Sequence, residues 1–85
     1  MILQLVCVHD RAADAFTRPV FVPAIGQAIR SFQDEINRNA PENEMFRHPE
    51  DFDLYHVGSF DDNTGILQRL DEPKQLAIGK HLKQQ

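Results

Sequence analysis

The chain reads as a small α+β domain, an antiparallel-rich sheet with one helix across a face. Its predicted order is β-β-α-β-β plus a short C-terminal element. Three observations predict it. Between Ile25 and Ile36, apolar residues recur at spacings of three and four. From Phe52 the period becomes two. The word DDNTG at 61–65 lies between two strand signals and has the composition of a hairpin loop, because Asp and Asn bond locally to backbone and Asn and Gly accept positive φ. Eighty-five residues form one domain, 1–85, with a modest core.

Met1–Val8 mixes β-branched residues with leucine on both faces, which places this strand centrally. His9–Thr17 is polar and reads as a loop or long hairpin connection. Arg18–Val22 is a second short strand, in which Pro19 favours an edge or a strand start for want of an amide hydrogen. Pro23 opens a helix, where its missing N–H costs nothing. Ile25, Ala28, Ile29, Phe32 and Ile36 make its apolar stripe, which ends near Asn39, before Pro41. Residues 40–49 form a polar, proline-bounded loop. In the next strand Phe52, Leu54, His56, Gly58 and Phe60 share one face, and Asp53, Tyr55, Val57 and Ser59 the other, with Gly58 marking a bulge. Gly65–Leu70 returns as its partner. The end, EPKQLAIGKHLKQQ, allows either a short amphipathic helix or an irregular segment packed on the sheet; 74–85 is a candidate mobile basic tail.

Chains this short are commonly helped by disulfides, metals or a second copy. Cys7 is the single cysteine and cannot close an intrachain disulfide; within ILQLVCV it reads as a buried thiol. A homodimer is the expected helper, with strand-edge pairing as one route. The apolar start lacks the basic residues and cleavage site of a signal peptide, and no run reaches the roughly 20 apolar residues of a membrane span. A reduced, cytoplasmic setting without membrane partners is expected.

Charge is uneven. Residues 1–40 carry four acids and four bases, residues 41–72 nine acids and two arginines, and residues 73–85 three lysines and no acid. With a net charge of −4, the chain lacks the overall footprint of a protein that coats nucleic acid, so any phosphate site must be local.

The acidic turn invites a metal reading. Asp61, Asn63 and Glu72 fall at positions one, three and twelve of a calcium loop, but positions five and six are Gly65 and Ile66, which argues against it. Asp61 and Asp62 are adjacent in a turn, not opposed across a cleft as an acid–base pair requires. His9, His48, His56 and His81 include no pair at metal-ligand spacing, and His56 reads as a satisfied core or interface histidine. There is no G-x-S-x-G elbow, phosphate loop, CxxC or dinucleotide fingerprint. No catalytic residue, metal or cofactor is expected, and the chain does not read as an enzyme.

Two features suit nucleic acid. Arg11, Phe16 and Arg18 combine bases with an aromatic near a loop, and Tyr55 lies on the polar face of a strand; stacking rings beside cations hold single strands. Lys74, Lys80 and Lys83 are candidate phosphate contacts. The competing reading packs Phe16 in the core and leaves the arginines solvated. The acidic stretch 41–72 repels DNA and suits a basic protein surface.

Longer words carry a resemblance: the first strand closed by an Asp, RPVFVPAIGQAIRSF at 18–32, and HPEDFDLYHVGSFDDNTG at 48–65, with a leucine-containing tail. Over nearly its full length the chain resembles the small nonstructural protein of gokushoviruses, tailless single-stranded DNA phages of the Microviridae. Ala28–Phe32 and His48–Gly65 match the family form closely. That family is likened to the microvirus C protein. The resemblance implies a DNA-binding accessory protein in the host cytoplasm, acting in single-stranded DNA synthesis or when replication switches to packaging. Single-stranded or replicative-form DNA is then the expected partner, with the phage replication initiator or a procapsid protein as further candidates. The alternative is an acidic interaction module that bridges the replication complex or a host protein to the procapsid without touching DNA. No catalytic residue carries over.

Overall fold

An apolar run and an alternating one build two long central strands, β1 (Ile2–Asp10) and β4 (Phe52–Asp61), paired antiparallel along their whole length. The computed structural model describes residues 1–84. β5 (Ile66–Ile78) flanks β4, while β2 (Ala15–Phe16) and β3 (Val20–Val22) share the opposite edge of β1. The α+β class and the β-β-α-β-β order therefore hold, with an added two-residue strand.

That addition corrects the expected loop at 9–17. His9 and Asp10 belong to β1 and pair with Phe16 and Ala15, so the loop shrinks to a tight connection. The second strand starts at Val20, not Arg18, because Pro19 offers no amide hydrogen to the ladder. Thr17 bridges the gap. Its amide donates to the Val8 carbonyl at 2.8 Å, and its hydroxyl accepts the Val8 amide at 2.9 Å.

Helix α1 (Ile25–Ile36) follows Ala24 and lies across one face of the sheet. Its stripe buries Ala28, Phe32 and Ile36 against Val6, Phe52 and Leu54, and Ile36 is fully buried. The helix stops at Ile36, three residues before Asn39. Asn37 turns its side chain to other uses, donating to the carbonyls of Gln33 and Leu82 and accepting the Gln84 amide. The expected loop at 40–49 instead holds a short helix, α2 (Glu44–Arg47), and a 3-10 turn, Pro49–Asp51, follows. Asn43 organises this segment. It is buried, caps α2 by accepting the Met45 amide, and donates to the carbonyls of Glu35 and Arg38.

The returning strand does not end at Leu70. β5 continues to Ile78, and a one-turn helix, α3 (Gly79–Leu82), closes the fold. The helical reading of the C-terminal stretch is met by this one turn only, and the irregular segment is corrected to a strand, because 74–78 join the ladder with β4. Of residues 74–85, 74–78 lie in β5, and Lys83 and Gln84 bond to the body; residue 85 lies outside the described residues.

The expected strand faces also need correcting. The β1–β4 register passes from Leu5↔Gly58 to Val6↔His56, so Val57 is an extra residue. Gly58 does mark a bulge, and the bulge moves Gly58 and Phe60 away from Phe52, Leu54 and His56. They join Asp53 and Tyr55 on the face away from α1. His56 stays on the helix side, its Nε2 2.9 Å from both Gln4 Oε1 and the Gly58 carbonyl oxygen. Opposite the bulge, β5 makes a larger excursion. Its pairing passes from Gly58↔Arg69 to His56↔Lys74, leaving 70–73 out of the ladder.

Candidate nucleic-acid interface

The sheet face away from α1 carries a row of rings. His9 stands on β1, Phe16 on β2 and Tyr55 on β4, brought together because His9 pairs with Phe16 and Cys7 with Tyr55 in neighbouring ladders. Phe16 lies 4.6 Å from the His9 ring and 5.4 Å from the Tyr55 ring, the latter edge-to-face at 76°. Phe16 is 48% exposed. Further along the same face, Phe21 and Phe60 meet edge-to-face at 5.6 Å. Cys7 lies between the two groups and is buried, and that burial pushes its thiol up from the ordinary range.

Arg11 reaches this row but is committed. Its guanidinium donates to the Glu50 carbonyl and to the Asp53 carboxylate, which is 1% exposed. Asp53 also accepts from Gln75 Nε2 at 3.2 Å and from the Gly79 amide at 3.4 Å. The buried carboxylate thus joins β4, β5, α3 and the β1–β2 connection. Arg18 is exposed beside the break between β2 and β3, with no ion-pair partner among the described residues.

The structure thus brings Arg11, Phe16 and Tyr55 together, with Arg18 on the adjoining edge, and leaves the lysines elsewhere. Lys74 pairs with His56 and so belongs to the helix side of β5. Lys80 is exposed on α3. Lys83 turns inward; its ammonium lies 3.2 Å from the centroid of the Phe46 ring and donates to the Phe46 carbonyl at 2.9 Å. Phe16 is not in the core. Sequence reasoning missed His9, Phe21, Phe60 and Arg69 on this face. The alternation Leu3, Leu5, Cys7, His9 along β1 was the signal for His9, whereas Phe60 was hidden by the bulge.

Carboxylates border this row too: Asp14 Oδ1 lies 3.4 Å from His9 Nε2, and Asp53 holds Arg11; other acidic groups lie further off. Glu42 and Glu35 clamp Arg38 at the end of α1, and Glu42, held by its own backbone amide and by Arg38, ionises below the usual carboxylate range. In the hairpin turn Asp61 accepts the Asn63 amide at 2.9 Å and the Gly65 amide bonds its carbonyl at 2.7 Å, while Gly65 adopts φ +75°. Asp62 takes the Met1 amine at 2.7 Å. The turn's own backbone and the chain start thus use these oxygens. His48, Glu50 and Asp51 place one potential ligand atom each within 4.8 Å of one another, a grouping the histidine spacing did not suggest; His48 there already faces Glu44 and Glu50.

Compared with known proteins, residues 3–82 match the family model described as Phage ORF5 protein. The chain belongs to the phage ORF5 protein family. A relative in the family, Protein ORF5 of Chlamydia phage 1, is 32% identical over 66 residues, covering 75% of this chain and 69% of the relative. That phage is a gokushovirus of the Microviridae, in line with the resemblance carried by 18–32 and 48–65. No solved structure matches. No helix among the described residues is long and apolar enough to cross a membrane.

Proposed function

We propose that this phage ORF5 protein is a nonstructural accessory protein that binds single-stranded DNA in the host cytoplasm, during single-strand synthesis or the switch to packaging. The supporting observation is the exposed Phe16 ring, edge-to-face with Tyr55 on an uncovered sheet face, with the exposed Arg18 two residues along the chain and Arg11 held by the neighbouring Asp53. Bases of a single strand offer their faces to such rings, while those of a duplex are already stacked. Arg18 is the free cation for phosphate; Arg11 contributes the outer edge of its guanidinium.

Fluorescence anisotropy with a labelled oligonucleotide, single-stranded and duplex, at two salt concentrations tests this. Wild type binds the single strand at low salt. Phe16→Ala weakens binding by about 1–3 kcal/mol. Arg18→Ala reduces the slope of log K against log salt by about 0.7, one phosphate contact on a single strand. Absence of binding at low salt ends the proposal.

A second reading, the acidic interaction module, draws on a different observation: Glu42, Glu44 and Glu50 are exposed along 42–51, as is Asp62 at the hairpin turn. That distribution suits a basic surface of a replication or procapsid protein.

A further inference from the structure

At the hairpin end of the sheet, the apolar side of the strands faces water. Leu3 pairs with Phe60 and Phe60 with Leu67, while Leu5 lies between Phe21 and Gly58. These positions share the face away from α1, and Phe21 and Leu67 are 55% and 63% exposed. The other side of the same strands is mixed, with Gln4, Ser59, Asp61 and Gln68 beside the exposed Ile2 and Ile66. This reverses the helix-covered half, where Val6, Val8, Phe52 and Leu54 turn toward α1.

The dimensions agree. The molecule measures 43 × 23 × 20 Å with a radius of gyration of 13.4 Å, against about 11.9 Å for a compact domain of this length. It exposes 5706 Å², against about 5,200 Å² for a compact monomer of this mass. The excess is of the same order as the roughly 800 Å² that each partner buries in a standard interface.

We propose that a second copy of this chain packs the same face onto this one, joining Leu3, Leu5, Phe21, Phe60 and Leu67 of both copies into a two-fold, sheet-on-sheet interface. Self-association fits because Arg69 alone is charged among the paired positions of this patch, so the patch selects neither an acidic nor a basic partner. An apolar sheet face can also complement its own copy across a two-fold axis, at the spacing of about 10 Å found between stacked sheets. The patch shares this face with the ring row, but His9, Phe16 and Tyr55 lie further along it, towards Asp10, outside the five residues that the pairing joins.

Sedimentation velocity, with circular dichroism as a folding check, tests it on three chains. Wild type sediments as a dimer at tens of micromolar. Leu67→Glu, at an exposed position, raises the dimer Kd by about a hundredfold or more, because both copies lose an apolar side chain and gain a charge. Ile66→Glu, its neighbour on the opposite face, leaves the dimer intact. A wild-type monomer at hundreds of micromolar overturns the proposal. So does an unchanged Leu67→Glu dimer, which points to edge pairing, or dissociation by Ile66→Glu alone. Leu67→Ser replaces Leu67→Glu if the latter fails to fold.

Discussion

Asp53 carries more of the fold than its place in an acidic stretch suggests. It is buried with Arg11, Gln75 and the Gly79 amide around it, so either partner's loss strands a desolvated group. Arg11→Ala leaves the carboxylate buried without its cation, and Asp53→Ala leaves the Gly79 amide unpaired. We expect each to cost about 2–3 kcal/mol; the half-exposed guanidinium keeps this below the figure for a fully buried pair. Urea unfolding of both single variants and the double variant checks this: the double variant loses less than the sum. Additive losses would show that the pair is not coupled. Arg11→Ala should accordingly lower stability more than it lowers DNA affinity. None of this was legible beforehand, because Arg11 and Asp53 are 42 residues apart and only the sheet register joins them. The same holds for Asn37, whose partner Leu82 lies 45 residues on.

Among the elements, those built on local periodicity were readable and those built on interruptions were not. The stripe of α1 repeats within one helix, so Ile25 to Ile36 announces itself. β1 is an apolar run from Ile2 to Val8 broken only by Gln4, which marks a central strand. β5 hides itself, since Asp71, Glu72 and Pro73 look like a turn while they form an excursion within one strand. Of the candidate site, Phe16 and Tyr55 were recognisable as rings near bases, but their meeting depends on β2, two residues long. Gly58 was legible as a bulge, though the direction of the switch was not. Its role is spatial: a Cβ there would collide with the Gln68 carbonyl and lie 3.3 Å from the Arg69 Cα. Gly58→Ala should therefore destabilise by about 1–3 kcal/mol, as overpacking does, with a lower urea midpoint and an unchanged slope. A variant as stable as wild type would mean that β5 moves aside freely.

For the molecule as a whole, charge and apolarity are sorted by region. Exposed carboxylates are numerous along 42–51; His9, Phe16 and Tyr55 stand near the β1–β2 connection together with Arg11, Arg18, Asp10, Asp14 and Asp53; and apolar side chains, Phe21 and Phe60 among them, occupy the hairpin end of the uncovered face. This sorting makes the two functional readings separable in one pull-down from infected cells. Under the DNA reading, co-purifying phage proteins are released by nuclease. Under the acidic-module reading, a partner survives nuclease and is lost when Asp61→Asn and Asp62→Asn are combined. Retention of nothing above background, with or without nuclease, removes the second reading.

The excursion at 70–73 bears on how association ends. It divides the outer edge of β5 into 66–69 and 74–78, with Pro73 and Lys74 at the division. An unbroken edge can recruit strand after strand without limit, and Pro and Lys are common deterrents to such growth. A face that mates with its own copy is used up once two molecules have met. Under the proposed two-fold packing, association stops at the pair, and the interrupted edge of β5 opposes growth into fibres.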